Sequence, residues 1–244
     1  MNDAIKTTLV EQLAPHGRLR AGINMSNFLL VSTTAENGEP DGVSPAMARA
    51  IAQELGVELT LVPFKGPGDV ADAALTDGWD IANIAAEAER ARTISFSPAY
   101  CEIQATYLLP PESPISTLEQ VDAAGNRIAV KERSAYDLWL TNNLKHASLI
   151  RAESLDASFD IFRDEGLEVL AGLRPKLMEQ QLLMPGSTLF DQSFTAVQQS
   201  IGCKPGCEAA AQYLGDFVQR SKDNGFIASL LERYEVAGRL SVAP

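Results

Sequence analysis

The sequence predicts an α/β protein made of two units of about 100 residues each. Short apolar runs typical of strands alternate with longer amphipathic runs typical of helices. The length of 244 residues allows one large domain or two smaller units. Near residue 103 the pattern changes to a long extended run, and a second set of strands and helices follows it. We therefore expect the second unit to be inserted into the first, with the last helices returning to the first unit.

The first unit is predicted to alternate strands and helices: strands at residues 18–23, 59–63 and 80–85, and helices at residues 42–56 and 69–76. Ser44 is expected to cap the first of these helices, Pro45 fits its first turn, and Gly56 ends it. Asp69 is expected to cap the second, which Gly78 ends.

The second unit and the C-terminal part are predicted to continue this alternation. An extended run is expected at 103–109, strands at 127–131, 167–171 and 194–199 with a further strand beginning at 149–150, and helices at 134–144, 155–163, 208–222 and 226–234. Ser134 followed by Asp137 is the start of a capping box. Ser154 is placed to cap the helix that begins at residue 155.

The charge of the chain argues against two classes of partner. There are 20 basic and 32 acidic side chains, which gives a formal net charge of −12. Such a surface repels nucleic acid and anionic lipid, because both are bound through Lys and Arg. No apolar run is long enough for membrane insertion. Residues 1–17 lack the cationic start and unbroken apolar core of a signal peptide and instead predict a short amphipathic helix.

The three cysteines leave two interpretations open. Cys203 and Cys207 flank a Pro-Gly turn, so they either close a small disulfide loop or remain two free thiols. Cys101 has no obvious partner. A metal site is not expected, because the cysteine pair lacks further ligands and the only histidines are His16 and His146. We expect no metal and no cofactor.

One segment resembles a known family. Residues 89–100 read ERARTISFSPAY, which is similar to a segment of family 3 solute-binding proteins, the amino-acid-binding group of ABC importers. Further similarities follow the same order along the chain: residues 42–48, 78–80, 127–134, 166–170 and 224–226. Together they cover approximately residues 17–234.

The resemblance implies a two-lobed, type 2 periplasmic-binding-protein fold whose lobes are joined by two crossover strands, near residues 102–107 and 190–194. Lobe 1 would comprise residues 1–104 and 194–244, and lobe 2 residues 105–193. The ligand would bind in the cleft between the lobes, and no catalytic residue is expected. Ligands of open α/β sheets bind beyond the carboxyl ends of the strands, which independently favours the loops described next.

The first predicted ligand-binding group follows the strand at residues 80–85. The resemblance assigns Arg90 to the ligand carboxylate, which a planar guanidinium holds through two parallel hydrogen bonds. It also places Ala85 and Glu87 in the pocket. Glu87 stands where relatives often have threonine, and it either binds an ammonium group or pairs with Arg90.

The second group follows the first strand. Relatives often cover the ligand with an aromatic ring here, whereas this chain has Asn27 at the matching position. We therefore expect Asn24, Asn27 and Phe28 to line the pocket, or Phe28 to be part of the core.

The third group lies where the strand at residues 127–131 leads directly into a helix. Free N–H groups at a helix N-terminus favour a bound carboxylate. Arg133, Ser134 and Tyr136 are the predicted contacts, although relatives have glycine where Arg133 stands. Ser134 would contact the ligand or serve only as a cap.

The fourth position departs from the family pattern. Amino-acid binders usually carry an aspartate after the strand predicted at residues 167–171, and residues 172–175 contain no acid. If Arg174 faces the cleft, the ligand would be more negative than a simple amino acid or would lack the α-ammonium, unless Glu87 replaces the missing acid.

The expected function is therefore that of a monomeric solute-binding protein of an ABC importer, which binds an amino acid or related organic acid and meets an ABC permease if exported. The resemblance implies a periplasmic location, but without a signal peptide a cytoplasmic one is open. Two alternatives are a cytoplasmic metabolite sensor and a dehydratase-like enzyme on the same fold.

Overall fold

The computed structural model describes residues 3–244 and divides into two compact units. Unit 1 comprises Met1–Glu102 and Gln198–Pro244, and unit 2 comprises Ile103–Val197. The strands of the two units together, in chain order, are β1 (Arg18–Asn24), β2 (Thr33–Thr34), β3 (Pro40–Asp41), β4 (Glu58–Phe64), β5 (Ile81–Ala85), β6 (Ser95–Phe96), β7 (Cys101–Leu109), β8 (Arg127–Lys131), β9 (Ser148–Ala152), β10 (Val169–Leu173), β11 (Thr188–Leu189), β12 (Thr195–Cys203) and β13 (Ser241–Val242).

The helices that alternate with these strands differ widely in length. They are α1 (Asp3–Leu13), α2 (Val43–Leu55), α3 (Pro67–Ala73), α4 (Leu118–Val121), α5 (Ala135–Asn143), α6 (Leu155–Asp164), α7 (Arg174–Leu182), α8 (Glu208–Asp223) and α9 (Phe226–Arg233). The chain passes from one unit to the other inside β7 and again inside β12. The predicted α/β fold with two crossover strands is therefore confirmed.

Each unit has the same strand arrangement. In unit 1, β1 lies between β4 and β5 and is parallel to both, and β12 pairs with β5 in the antiparallel direction. In unit 2, β8 lies between β9 and β10 and is parallel to both, and β7 pairs with β10 in the antiparallel direction. The parallel strands place their carboxyl ends at one edge of each sheet, where ligands of open α/β sheets bind.

An arginine fixes the register of the central strands in both units. In unit 1, the backbone N–H and Nε of Arg20 donate to Asp80 at 2.8 and 3.0 Å. In unit 2, the backbone N–H and Nε of Arg127 donate to Glu168 at 2.8 and 2.9 Å. Each bond lies one residue before the first paired residues of the two parallel strands. A one-residue slip would break these bidentate contacts, so they hold the register.

Each unit has its own hydrophobic core. The core of unit 1 includes Trp79, which is fully buried and whose Nε1 donates to the carbonyl oxygen of Val70 at 2.8 Å. The core of unit 2 is formed by residues that come from strands on one side and helices on the other: Leu108, Ala129, Phe159, Phe162, Leu167, Leu170 and Leu177. Burying a tryptophan without a partner for its N–H is costly, which the bond to Val70 avoids.

Two of the predicted helix caps are confirmed and two are wrong. The hydroxyls of Ser134 and Ser154 accept the expected N–H bonds at the starts of α5 and α6. Gly42, not Ser44, is the N-cap of α2, and the Ser44 hydroxyl instead pairs with the Tyr100 hydroxyl at 3.0 Å.

The start of α3 differs from the prediction in a related way. Gly66 is the N-cap, and Asp69 lies three residues later, where its carboxylate accepts the N–H of Gly66 at 3.1 Å. Asp69 thus supports the helix start from inside the first turn. The helix ends at Ala73, and a short 3₁₀ turn continues to Thr76.

The strand predicted at residues 167–171 lies two residues later, as β10, and α7 was not predicted. Pro175 occupies the first turn of α7, where a missing N–H costs no hydrogen bond. β12 also extends four residues beyond the predicted end at residue 199.

Gly42 should tolerate no side chain. Its φ is 146°, and a Cβ would lie 2.4 Å from the carbonyl oxygen of Leu30. Gly42→Ala is expected to lower the free energy of unfolding by about 3 kcal/mol, because backbone strain adds to a clash with backbone. Gly38→Ala is the control: its φ of 85° is also positive, but nothing lies within 4 Å of its Cβ position. Equal losses for the two variants in urea denaturation would contradict the prediction.

The two register contacts should differ in strength because they differ in burial. The Asp80 side chain is 1% exposed and the Glu168 side chain 34%. Asp80→Asn should lower the free energy of unfolding by about 3 kcal/mol. Glu168→Gln should lower it by less than about 1 kcal/mol, since solvent screens this pair.

The Glu168 contribution should also depend on pH. The hydrogen bond from Arg127 holds the pKa of Glu168 below its ordinary value. Its stabilisation is therefore present above the pKa of the unfolded carboxyl and is lost as pH falls through the lower folded-state pKa. Urea denaturation of the wild type and Glu168→Gln should show a smaller difference at about pH 3 than at neutral pH. A difference that grows on acidification would contradict this assignment.

Candidate functional site

Arg90 is held rigidly at the carboxyl end of β5. It is 4% exposed, and its Nη1 donates to the carbonyl oxygen of Ala85 at 3.0 Å. Its own carbonyl oxygen accepts the N–H groups of Thr93 and Ile94, both at 3.0 Å. Ile94 is buried in the core of unit 1. The loop is thus anchored on both sides of Arg90, and the guanidinium has a fixed direction.

Glu87 lies three residues before Arg90 and is half-buried. Its backbone carbonyl accepts the N–H of Ala91 at 2.9 Å, but within residues 3–244 its carboxylate accepts no hydrogen bond. Burial raises the pKa of Glu87, and the charge of Arg90 partly opposes this. A half-buried carboxylate without a donor is costly, so the group is suited to bind a cation or to hold a proton.

The loop after β1 is stabilised by its two predicted asparagines. The Asn24 carbonyl Oδ1 accepts the N–H and hydroxyl of Ser26 at 3.1 and 2.9 Å. The buried Asn27 accepts the N–H groups of Leu29 and Leu30, both at 3.3 Å. Both side chains therefore shape the turn, as Asx residues commonly do. Their contact with a ligand stays a prediction.

Phe28 in the same loop is half-buried rather than part of the core. The guanidinium carbon of Arg239 lies 5.4 Å from the centre of its ring, within cation–π range. The aromatic ring is therefore ordered by a neighbour from the C-terminal part of unit 1.

In unit 2, the start of α5 offers unused donors. Ser134 is the N-cap, and its hydroxyl accepts the N–H of Asp137 at 3.1 Å. The N–H groups of Ala135 and Tyr136 meet no acceptor in the described part of the chain. Two free N–H groups at the positive end of a helix suit an anion.

Arg133 precedes this helix in a strained conformation. Its φ is 57°, in the left-handed region that favours glycine. The backbone N–H of Arg133 donates to Asp137 Oδ2 at 2.7 Å, and Arg151 Nε donates to Oδ1 at 2.9 Å. Asp137 therefore stabilises the turn, and the positive charge of Arg151 compensates the negative charge of Asp137. The Arg133 side chain is exposed.

The Tyr136 hydroxyl is buried without a hydrogen bond to any described residue. Ser134 is nearby but outside hydrogen-bond geometry. Burial raises the pKa of Tyr136, which keeps the phenol neutral. The group can therefore donate to a ligand atom or to Ser134 after a small movement.

The Arg174 side chain forms hydrogen bonds within unit 2. Its Nε donates to Gln104 Oε1 at 2.7 Å, and its Nη2 donates to the carbonyl oxygen of Asp191. Thr106 donates to the same segment, at the carbonyl of Gln192 at 2.6 Å. These bonds attach the stretch before β12 to β7, which gives Arg174 a structural role.

Gly172, the next-to-last residue of β10, is closely packed. A Cβ at Gly172 would lie 3.0 Å from Leu177 Cδ2, which is tighter than ordinary contact. Leu177 is buried in the core of unit 2. A side chain at position 172 would therefore require Leu177 to shift by a few tenths of an ångström.

Unit 2 contains a cluster of aromatic side chains that the sequence did not predict. The Tyr107 and Phe194 rings stack with centres 4.4 Å apart, and Trp139 lies 5.2 Å from Phe194. Phe190 contacts Tyr107 edge-on at 6.4 Å. The four residues come from three separate segments, so only the folded chain brings them together.

Neither a metal centre nor a membrane span was found in residues 3–244. No three side chains among His, Cys, Asp and Glu are grouped there as metal ligands. None of the described helices has the length and apolar character needed to cross a bilayer.

Comparison with known proteins agrees with this architecture. A curated relative, the cyclohexadienyl dehydratase of Pseudomonas aeruginosa, is 26% identical over 237 residues, which cover 92% of this chain and 85% of the relative. An ancestral amino acid-binding protein described as a precursor of cyclohexadienyl dehydratase superposes with a TM-score of 0.72 at 22% identity, covering 93% of this chain and 99% of that one.

A second solved structure, the solute receptor for L-cysteine of Neisseria gonorrhoeae, superposes with a TM-score of 0.74 at 16% identity and covers 99% of each chain. At such identities the structures show a shared fold. The model of the bacterial extracellular solute-binding proteins, family 3, matches residues 19–237. Because this match spans most of the chain, the protein belongs to the bacterial extracellular solute-binding proteins, family 3.

Proposed function

We propose that this chain is the solute-binding protein of an ABC importer and that it binds an amino acid or a related organic acid. The observation that carries the proposal is the buried Arg90, whose guanidinium is fixed at the carboxyl end of β5 by the Ala85 carbonyl. A guanidinium carries its five N–H groups in a planar fork. A carboxylate is the ligand group that matches its geometry.

The N-terminus of α5 supports the same ligand chemistry. The free N–H groups of Ala135 and Tyr136 suit a carboxylate oxygen. That one ligand meets both units stays a prediction.

Glu87 favours a ligand that also carries an ammonium group. Its carboxylate has no hydrogen bond within residues 3–244, and an ammonium would supply one. The alternative of a more negative ligand relied on Arg174 as an additional cation. Arg174 already donates to Gln104 and Asp191, which weakens that alternative. The solved structures named above, an amino acid-binding protein and a receptor for L-cysteine, support an amino acid ligand.

The wider biological role follows from the family. We expect a monomer that delivers its ligand to an ABC permease, in the periplasm. A metabolite sensor without a transporter is the alternative. Adjacent genes for a permease and an ATPase would favour import, and their absence would favour the sensor.

Replacing Arg90 should weaken ligand binding strongly. A thermal-shift screen of amino acids and dicarboxylic acids identifies the ligand, because binding the folded state raises its stability. Arg90→Ala should then lower the affinity by about 2–4 kcal/mol in calorimetry, since a buried anion loses a charged partner. Arg92→Ala is the control, because Arg92 lies in the same 3₁₀ turn but is exposed. Equal affinities for the wild type and Arg90→Ala would remove Arg90 from the site.

A dehydratase is the second candidate function, and two observations favour it. One is the relative named cyclohexadienyl dehydratase. The other is Glu87, whose raised pKa retains a proton at higher pH than an ordinary glutamate. Loss of water requires an acid that protonates the departing hydroxyl group. Glu87 would be that acid.

Substitution of Glu87 separates the two functions. If the chain is a dehydratase, it should convert a hydroxylated cyclohexadienyl substrate, and Glu87→Gln should slow the reaction by at least about 100-fold. The rate should fall as pH rises through the raised pKa, because the protonated form acts. If Glu87 binds an ammonium, binding should instead strengthen over the same rise, because the carboxylate acts. Glu89→Gln, at an exposed neighbour, is the control. No turnover in the wild type would exclude the dehydratase.

A further inference from the structure

Cys203 and Cys207 are brought together by a short turn at the edge of unit 1. Cys203 is the last residue of β12, and Cys207 is the N-cap of α8. The turn between them contains Pro205 and Gly206, the latter with a φ of 82°. This conformation reverses the chain at low cost only because the residue is glycine.

The environments of the two thiols are complementary. Cys203 is 1% exposed, whereas Cys207 is half-buried. The Cys207 side chain caps no N–H of α8, so its sulfur is not needed by the helix. Burial raises the pKa of Cys203 to about 12, so Cys203 stays protonated while Cys207 is the thiol that solvent reaches.

Both thiols are free in this structure, and Cys101 is free as well. Cys101 lies fully buried on β7 and offers solvent no access. Among the described residues, only the Cys203–Cys207 pair therefore combines a reachable thiol with a second thiol at the other end of the same short turn.

We propose that Cys203 and Cys207 are a thiol–disulfide exchange site that closes into a disulfide in the presence of a small-molecule disulfide such as oxidised glutathione. The reachable Cys207 reacts first. Its thiolate attacks one sulfur of the small disulfide, the S–S bond breaks, and one small thiolate leaves.

The second step completes the reaction. The Cys203 sulfur attacks the Cys207 sulfur of the mixed disulfide, the bond from Cys207 to the small molecule breaks, and the proton of Cys203 passes to the small thiolate that leaves. Two protein thiols are oxidised by two electrons in total, and one small disulfide is reduced to two thiols. The new bond connects the end of β12 to the start of α8 and lowers the conformational entropy of the unfolded chain.

The test is oxidation of the full-length protein with oxidised glutathione, followed by alkylation under denaturing conditions and mass spectrometry. The reduced protein has three alkylatable cysteines. We expect the oxidised wild type to retain one alkylatable cysteine, Cys101. Before alkylation, its mass should be lower than that of the reduced protein by two hydrogen atoms. The melting temperature should rise by several degrees on oxidation.

Single substitutions identify the roles of the two thiols. Cys203→Ser should stop at the mixed disulfide on Cys207, and Cys207→Ser should remain unmodified. Cys101→Ser is the control and should oxidise as the wild type does. Three alkylatable cysteines in the oxidised wild type would overturn the proposal, as would a mixed disulfide at Cys207 that never resolves.

Discussion

In each unit, a bidentate arginine–carboxylate contact at the start of two parallel strands sets their register and therefore the position of their carboxyl ends. Arg20 with Asp80 and Arg127 with Glu168 set the register of β1 against β5 and of β8 against β10. With that register fixed, the carboxyl ends of β5 and β8 carry Arg90 and Ser134 just beyond the sheet. The chemistry at one edge of each unit thus depends on ion pairs at the opposite edge.

The two candidate ligand-binding regions combine rigid support with unsatisfied polar groups. The turn around Arg90 is anchored by backbone hydrogen bonds and by the buried Ile94, while no residue in the described part of the chain donates to the Glu87 carboxylate. The turn around Ser134 is anchored by Asp137 and Arg151, while two N–H groups meet no acceptor among residues 3–244. Preorganised groups of this kind lose little entropy when a ligand binds.

The sequence predicted the strand and helix alternation, whereas the predicted ligand contacts stay predictions. Periodicity and capping residues sufficed for α5 and α6, since Ser134 and Ser154 act locally. Local patterns failed where a distant partner decides the outcome. Ser44 bonds Tyr100 instead of capping its own helix. β10 begins and ends two residues later than predicted, because the apolar run continues through Leu173 and local pattern does not fix the bounds of a buried strand.

The packing of Leu177 over Gly172 limits which residues position 172 accepts. A Cβ there would lie 3.0 Å from Leu177 Cδ2, so the buried leucine would have to shift by a few tenths of an ångström. The effect of a substitution at 172 should therefore depend on the residue at 177, because substitutions at contacting positions do not add. The order of the two substitutions, and not only their identity, then decides whether evolution passes through an overpacked intermediate.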